Sequence, residues 1–245
     1  MRAFGAAPWT STSRVRDLLL IALAWTSGYV DVVSYLGLGH VFPANMTGNT
    51  VFLGLALAQA RGSQILRSAL ALAGFAAGVA IASPLVDRDR ETTIWPPSVT
   101  RALALECAVL SLLACGGSFI KGLTPGAMDG LVLLAGCAMG IQSAAIHSLG
   151  LPGVATTYIT GTWTAFVRKL FSRAHSQVIG LRKSGQWESA EENLSVMAAL
   201  LGIYVFGAWI GAAAQIHWRL ESIFLPALTV AGVALLAFFN FGRPR

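Results

Sequence analysis

Residues 17–60 read DLLLIALAWTSGYVDVVSYLGLGHVFPANMTGNTVFLGLALAQA. From Leu18 the chain is apolar as far as Gly37, enough at about 1.5 Å per residue to cross about 30 Å of hydrocarbon. Gly37, Gly39 and Pro43 then interrupt it, and a shorter apolar run follows at 44–60. Gly and Pro break or start helices even in lipid. The stretch predicts a spanning helix and then a short helix that begins inside apolar surroundings. Asp31 lies past the middle of the first run.

Long apolar runs recur at 67–86, 101–120, 128–149, 194–217 and 221–241, and a second short one, preceded by Pro152 and Gly153, at 154–171. The composition agrees. Of 245 residues 55% are apolar and only 11% charged, against about 25% in a soluble domain, and mean hydropathy is +0.66. So few charges cannot coat a soluble fold of this size, which excludes a soluble enzyme, a nucleic-acid-binding domain and a disordered chain. The net charge of +6 belongs to residues that flank the runs, where positive charge orients spans. The first run passes twenty residues, lacks a small-x-small cleavage site and carries Asp31, so it predicts an uncleaved span rather than a signal peptide. Cys107, Cys115 and Cys137 lie inside runs, with no CxxC, and read as small packing residues.

The two short runs occupy matching places. Leu36-Gly37-Leu38 and Thr47-Gly48 recur as Leu149-Gly150-Leu151 and Thr160-Gly161, both at an offset of 113 residues. Each pair ends a long span and opens a short one, and two long spans follow. The reading is an all-α membrane protein, a polytopic bundle of six spans plus two short broken or re-entrant helices in two homologous halves. Its parts are a cytoplasmic tail at 1–16, a first membrane repeat at 17–120, and a second at 128–241 that carries a cytoplasmic loop at 172–193. The alternative is eight spans, with both short runs crossing. Either topology leaves 13 of the 17 Lys and Arg on the side of both termini, so the positive-inside rule puts the termini in the cytoplasm without choosing between them.

The stretch GYVDVVSYLGLGHVFPANMTGNTVFLGLAL, residues 28–57, resembles the signature of the YoaK-like family of bacterial membrane proteins, a family defined by a domain of unknown function. The likeness rests on Gly28, Asp31, Phe42, Asn45, Met46, Thr47, Gly48 and Asn49, with Gln142 and the 156–161 stretch agreeing. It implies a multi-span protein of the bacterial cytoplasmic membrane with some six helices and no established activity. It names no catalytic residue.

Several residues carry possible chemistry. Ser27, Asp31, Ser34 and Tyr35 share one helix face, and an intramembrane acid is expected to face protein, water or a partner. Asn45, Thr47, Gly48 and Asn49 open the first short helix, where unpaired N–H groups and the positive dipole end suit an anion or a polar solute. They serve equally as caps. Thr156, Thr157, Thr160, Gly161, Thr162 and Thr164 crowd the equivalent place in the second half. Paired broken helices point to a solute site at the midplane. Gln142, Ser143 and His147 offer polar groups on one later span. Glu106 lies about a turn inside its span, placed to snorkel to the headgroups or to pair with Arg101. Gly74-xxx-Gly78, Gly136-xxx-Gly140 and Gly207-xxx-Gly211 are close-packing signals, within the bundle or between copies of it.

No phosphate-binding loop, HExxH, GxSxG or DxD motif is present, so no enzyme activity, cofactor or metal site is expected. The expectation is a secondary transporter or channel for a small polar or anionic solute. Its path would be built from Asp31, Asn45, Thr47, Gly48, Asn49, Gln142, Thr157, Thr160 and Gly161, with the lipid bilayer, the solute and a second copy of the chain as partners. A membrane scaffold or accessory subunit is the alternative.

Overall fold

A computed structural model describes residues 11–87, 93–119, 124–151, 155–157, 159–178 and 187–242, all helix, turn or loop with no strand among them. The helices are α1 (Ser11–Gly37), α2 (Met46–Ala58), α3 (Gly62–Val86), α4 (Pro97–Phe119), α5 (Pro125–His147), α6 (Ile159–Val178), α7 (Trp187–Trp218) and α8 (Phe224–Phe241), with a 3₁₀ turn at Arg219–Ile223 between the last two. Five helical stretches are long and apolar enough to cross a membrane: Ser13–Gly37, Gly62–Val86, Pro97–Ser118, Pro125–His147 and Leu194–Phe241. The last has 48 residues, about 72 Å of helix at 1.5 Å per residue, and the 3₁₀ turn divides it. Large apolar side chains point outward around the bundle, among them Leu18, Val205, Trp209, Leu228 and Phe239. A bilayer supplies the surroundings that so much exposed apolar surface requires.

Local chemistry explains the breaks. Gly39, at a φ of 87°, takes the left-handed turn that ends α1, and the His40 N–H reaches back to the Tyr35 carbonyl at 3.1 Å. Asn45 caps α2, its side-chain oxygen accepting from the Gly48 N–H at 3.2 Å. Thr124 caps α5 through the Ala127 N–H, with Pro125 at the first helical position.

The expected boundary of the second short run needs correction. The apolar run ends at 171 and the expected loop fills 172–193, but α6 continues to Val178 and α7 already starts at Trp187. Residues 179–186 of that loop lie outside the described residues, as do 1–10 of the tail and residues 88–92. Hydropathy falls at Arg168, Lys169 and Arg173, whereas helical hydrogen bonding does not. Trp163, Val167, Leu170 and Phe171 keep an exposed apolar stripe of helical period along α6.

Packing runs in pairs. α1 lies against α7 and α3 against α5; α4 packs on α5 and α8, α8 on α1, α2 on α3, and α6 on α7. Glycine makes the two main contacts possible. A Cβ on Gly74 or Gly78 would overlap the carbonyl of Leu133 or Cys137, and one on Gly136 or Gly140 the carbonyl of Ala71 or Phe75. The residue numbers rise together, so α3 and α5 are parallel. Gly28 meets the Tyr204 carbonyl, and Gly207 and Gly211 meet those of Trp25 and Tyr29, which makes α1 and α7 parallel too. α4 and α8 are antiparallel, for Trp95 stacks on Phe241 with centroids 5.9 Å apart, the Cys107 thiol donates to the Ala227 carbonyl at 3.4 Å, and Gly117 abuts Leu220.

These contacts define two ends. At one, Gly39 touches Arg67 and Gly37 touches Gln215 and Leu220, while Arg67 pairs with Asp129 at 3.3 Å. The finish of α1 and the starts of α3 and α5 therefore sit together. At the other end, the last turns of α3 and α5 meet around Asp87 and His147.

Candidate functional site

The chain between α1 and α2 does not stay at the Arg67 end. It turns back along α1 until the Ala44 N–H donates to Asp31 Oδ1 at 2.6 Å. Asp31 Oδ2 accepts from the Tyr204 hydroxyl at 2.5 Å, so one buried carboxyl ties the α1–α2 loop to α7. Both bonds go to an acid that is only 4% exposed, which answers the burial cost of a polar group in the bundle.

Asn49 holds the same loop from the other side. Its Nδ2 donates to the Phe42 carbonyl at 2.7 Å, and its Oδ1 accepts from the Phe42 N–H at 2.9 Å. Phe42 in turn stacks on Tyr35 and Phe52. The returning loop is thereby clamped before α2 begins.

The start of α6 arrives at the same place. A cavity of about 440 Å³ is lined by Ala44, Asn45, Met46 and Thr47 from the first break, Thr157, Ile159 and Thr160 from the second, and Phe75, Ser143 and Tyr204 from the long helices. Phe75 and Tyr204 stand near the middles of α3 and of the apolar part of α7. The walls present hydroxyls and one amide, with no ionised group among the lining side chains. Such a site suits a small solute read by hydrogen bonds.

The residues singled out in sequence therefore separate. Asn45, Thr47, Thr157 and Thr160 line the cavity. Asp31 stands behind its wall and holds two lining residues. Gly48 lies over the Phe42 and Asn45 side chains and belongs to the cap, Asn49 belongs to the clamp, and Gly161, in the first turn of α6, is not part of the lining. Gln142 is fully buried, and its Nε2 faces the Leu23 carbonyl, Ser27 Oγ and Thr156 Oγ1 at 2.8–3.2 Å. It joins α5 to α1 and to the second break. Thr162, also buried, bonds back to the Ala155 carbonyl.

Glu106 corrects an expectation. It neither snorkels nor pairs with Arg101: it is fully buried, and neither carboxyl oxygen has a hydrogen-bond partner among the described residues. It lies farther from the end of α4 than hydropathy implied, because α4 begins at Pro97. Tyr204 was not singled out in sequence. Its one signal was a phenol in an otherwise apolar run, and its partner Asp31 is 173 positions away.

Fold and cavity define a polytopic helical membrane protein whose two helix breaks meet on one partly open cavity that carries several hydroxyls. The comparisons carry this one step further. The family model described as "Protein of unknown function (DUF1275)" matches residues 19–236, and the chain belongs to that family. It is 37% identical over 222 residues to the UPF0700 transmembrane protein YoaK of Bacillus subtilis (strain 168), covering 91% of this chain and 94% of the relative. No solved structure matches it.

Proposed function

We propose that the protein is a secondary transporter or channel of the bacterial cytoplasmic membrane for a small polar or anionic solute, with six crossings in two inverted halves. The observation that carries this is the meeting of both helix breaks on one cavity, through Ala44, Asn45, Met46 and Thr47 of the first and Thr157, Ile159 and Thr160 of the second. Paired broken helices at a shared site are a recurrent build of membrane carriers.

The direction of each helix supports six crossings. α3 begins at the end of the bundle where α1 finishes, so α2 enters from that end and returns to it. α6 does the same from the Asp87 end, where α7 then starts. The 3₁₀ turn, with Arg219 at a φ of 50°, lies beside Gly37, and α8 runs back along α4 and α1. Counted along the sequence, six crossings leave 13 of the 17 Lys and Arg on the side of the termini and four on the other, which supports a cytoplasmic Asp87 end.

The packing also repeats when α1–α4 are exchanged for α5–α8. α1 on α7 becomes α5 on α3, α8 on α1 becomes α4 on α5, and α2 on α3 becomes α6 on α7. Gly74 and Gly78 map to Gly207 and Gly211 at an offset of 133, while Gly28 maps to Gly136 at 108. The LGL strings, at 113, lie five residues out of that helical register. The glycine contacts, rather than those strings, are the better support for an internal duplication.

In this reading Asn45, Thr47, Thr157, Thr160 and Ser143 contact the solute, Asp31 fixes the wall through Ala44 and Tyr204, and no catalytic step is involved. The test is flux in proteoliposomes across a panel of small anions and neutral polar solutes. Uptake that Asn45→Ala and Thr157→Ala both reduce supports the proposal. A folded protein that moves nothing in the panel, and that co-purifies with a stoichiometric membrane partner, would point to the scaffold instead.

A further inference from the structure

A second cavity of about 180 Å³ lies between the last turns of α3 and α5, lined by Val79, Ser83, Val86 and Asp87 from α3 and by Ser143, Ala144, His147 and Ser148 from α5. Ser143 also lines the central cavity. On α3, Phe75 lines the central cavity, and Val79, Ser83 and Val86 follow at intervals of four, four and three residues, one continuous helix face. Asp87, His147 and Ser148 at the far end are exposed.

Helix geometry explains why space opens here. α3 and α5 touch backbone to backbone at Gly74, Gly78, Gly136 and Gly140. Beyond that contact the glycine stripes run on as Ala82 and Ala144, with Ser83 and Ser143, both half-buried, one position round the helix from them, and two parallel helices that cross at one point separate on either side of it. Ser83 Oγ bonds back to the Val79 carbonyl at 2.8 Å, and Pro84 leaves the Ala80 carbonyl without its helical N–H. The α3 segment that lines the second cavity is therefore the part least tied to its own helix.

From this we infer that the α3–α5 cavity is the cytoplasmic mouth of the cavity at the two breaks, with Ser143 at the threshold. The inference rests on the transport reading and adds its route. A solute enters past the carboxylate and imidazole of Asp87 and His147, passes the hydroxyls of Ser83 and Ser143, and reaches the threonines of the two breaks. Polar groups along the whole course fit a hydrated or hydroxyl-bearing solute and disfavour an apolar one.

The test reads access, not flux. In a background with the three native cysteines replaced, Thr157→Cys lies in the central cavity and is only 7% exposed in the native side chain. A small impermeant thiol reagent is applied separately to inside-out and right-side-out vesicles. The expected result is labelling from the cytoplasmic face only, slowed by an order of magnitude when Ser143→Trp is added. Ser83→Trp, from the facing helix, is expected to slow it as well, which keeps the test decisive should one variant fold poorly. Labelling from the outer face alone, from neither face, or at an undiminished rate past both tryptophans would overturn the route. Labelling as expected without flux of any solute would sink the transport reading while leaving the mouth in place.

Discussion

Asp31 is the residue on which the site's geometry turns, because its carboxyl is bonded both to the α1–α2 loop and to α7. Tyr204→Phe removes the donor to Oδ2 and leaves a buried acceptor unpaired, a loss of about 1–3 kcal/mol. It should lower the thermal midpoint in detergent and reduce flux together. Asp31→Asn keeps the size but turns one oxygen into an NH₂ that faces a donor, so its cost should be similar or larger. A midpoint unchanged in both would show that the bond network is not holding the wall. Glu106 predicts the opposite sign. Its buried oxygens have no partner among the described residues, so Glu106→Leu should stabilise the fold by about 1–3 kcal/mol, measured by the same melting assay. A clear loss of stability would mean that the carboxyl has a partner after all. Sequence pattern exposed the two acids and the Asn/Thr cluster readily, because polar residues inside apolar runs stand out. It could not pair Asp31 with Tyr204, since no local spacing links positions on α1 and α7.

At the level of elements, glycine decides which helices touch. Gly136→Leu drives a side chain into the Ala71 carbonyl and should abolish the α3–α5 contact, read as loss of folded protein after detergent extraction. Gly54→Ala, where a Cβ meets nothing within 4 Å, should leave yield and melting unchanged. Equal tolerance of both would show that the close packing is not needed. The GxxxG spacings were legible because a period of four marks one helix face. What they could not say is which helix each face meets, and the answer, α3 with α5 and α1 with α7, is a property of the whole bundle. The reach of α6 was hidden for a different reason. Its basic residues end the apolar run but not the helix, since an amphipathic helix can leave the apolar layer and keep its backbone hydrogen bonds.

For the molecule as a whole, the parallel pairs α1/α7 and α3/α5 and the antiparallel pair α4/α8 support the proposed arrangement of two halves that enter the membrane with opposite sense. Composition and run lengths identified the membrane class, since nothing else tolerates so little charge, but charge counting alone gave 13 against 4 for either topology. The return of the chain from Gly37 to Asp31 and out again along α2 supports the proposed six crossings. The 93–97 segment before α4 is where the topologies disagree most plainly: six crossings put it in the cytoplasm and eight put it outside. Ser98 is fully buried, whereas Thr93 is exposed and accepts a probe. With Cys107, Cys115 and Cys137 replaced, Thr93→Cys should resist an impermeant thiol reagent on intact cells and react once the membrane is permeabilised. Reaction on intact cells would place this segment outside, make the halves parallel, and contradict the account of two helices that enter from opposite faces to meet at one cavity.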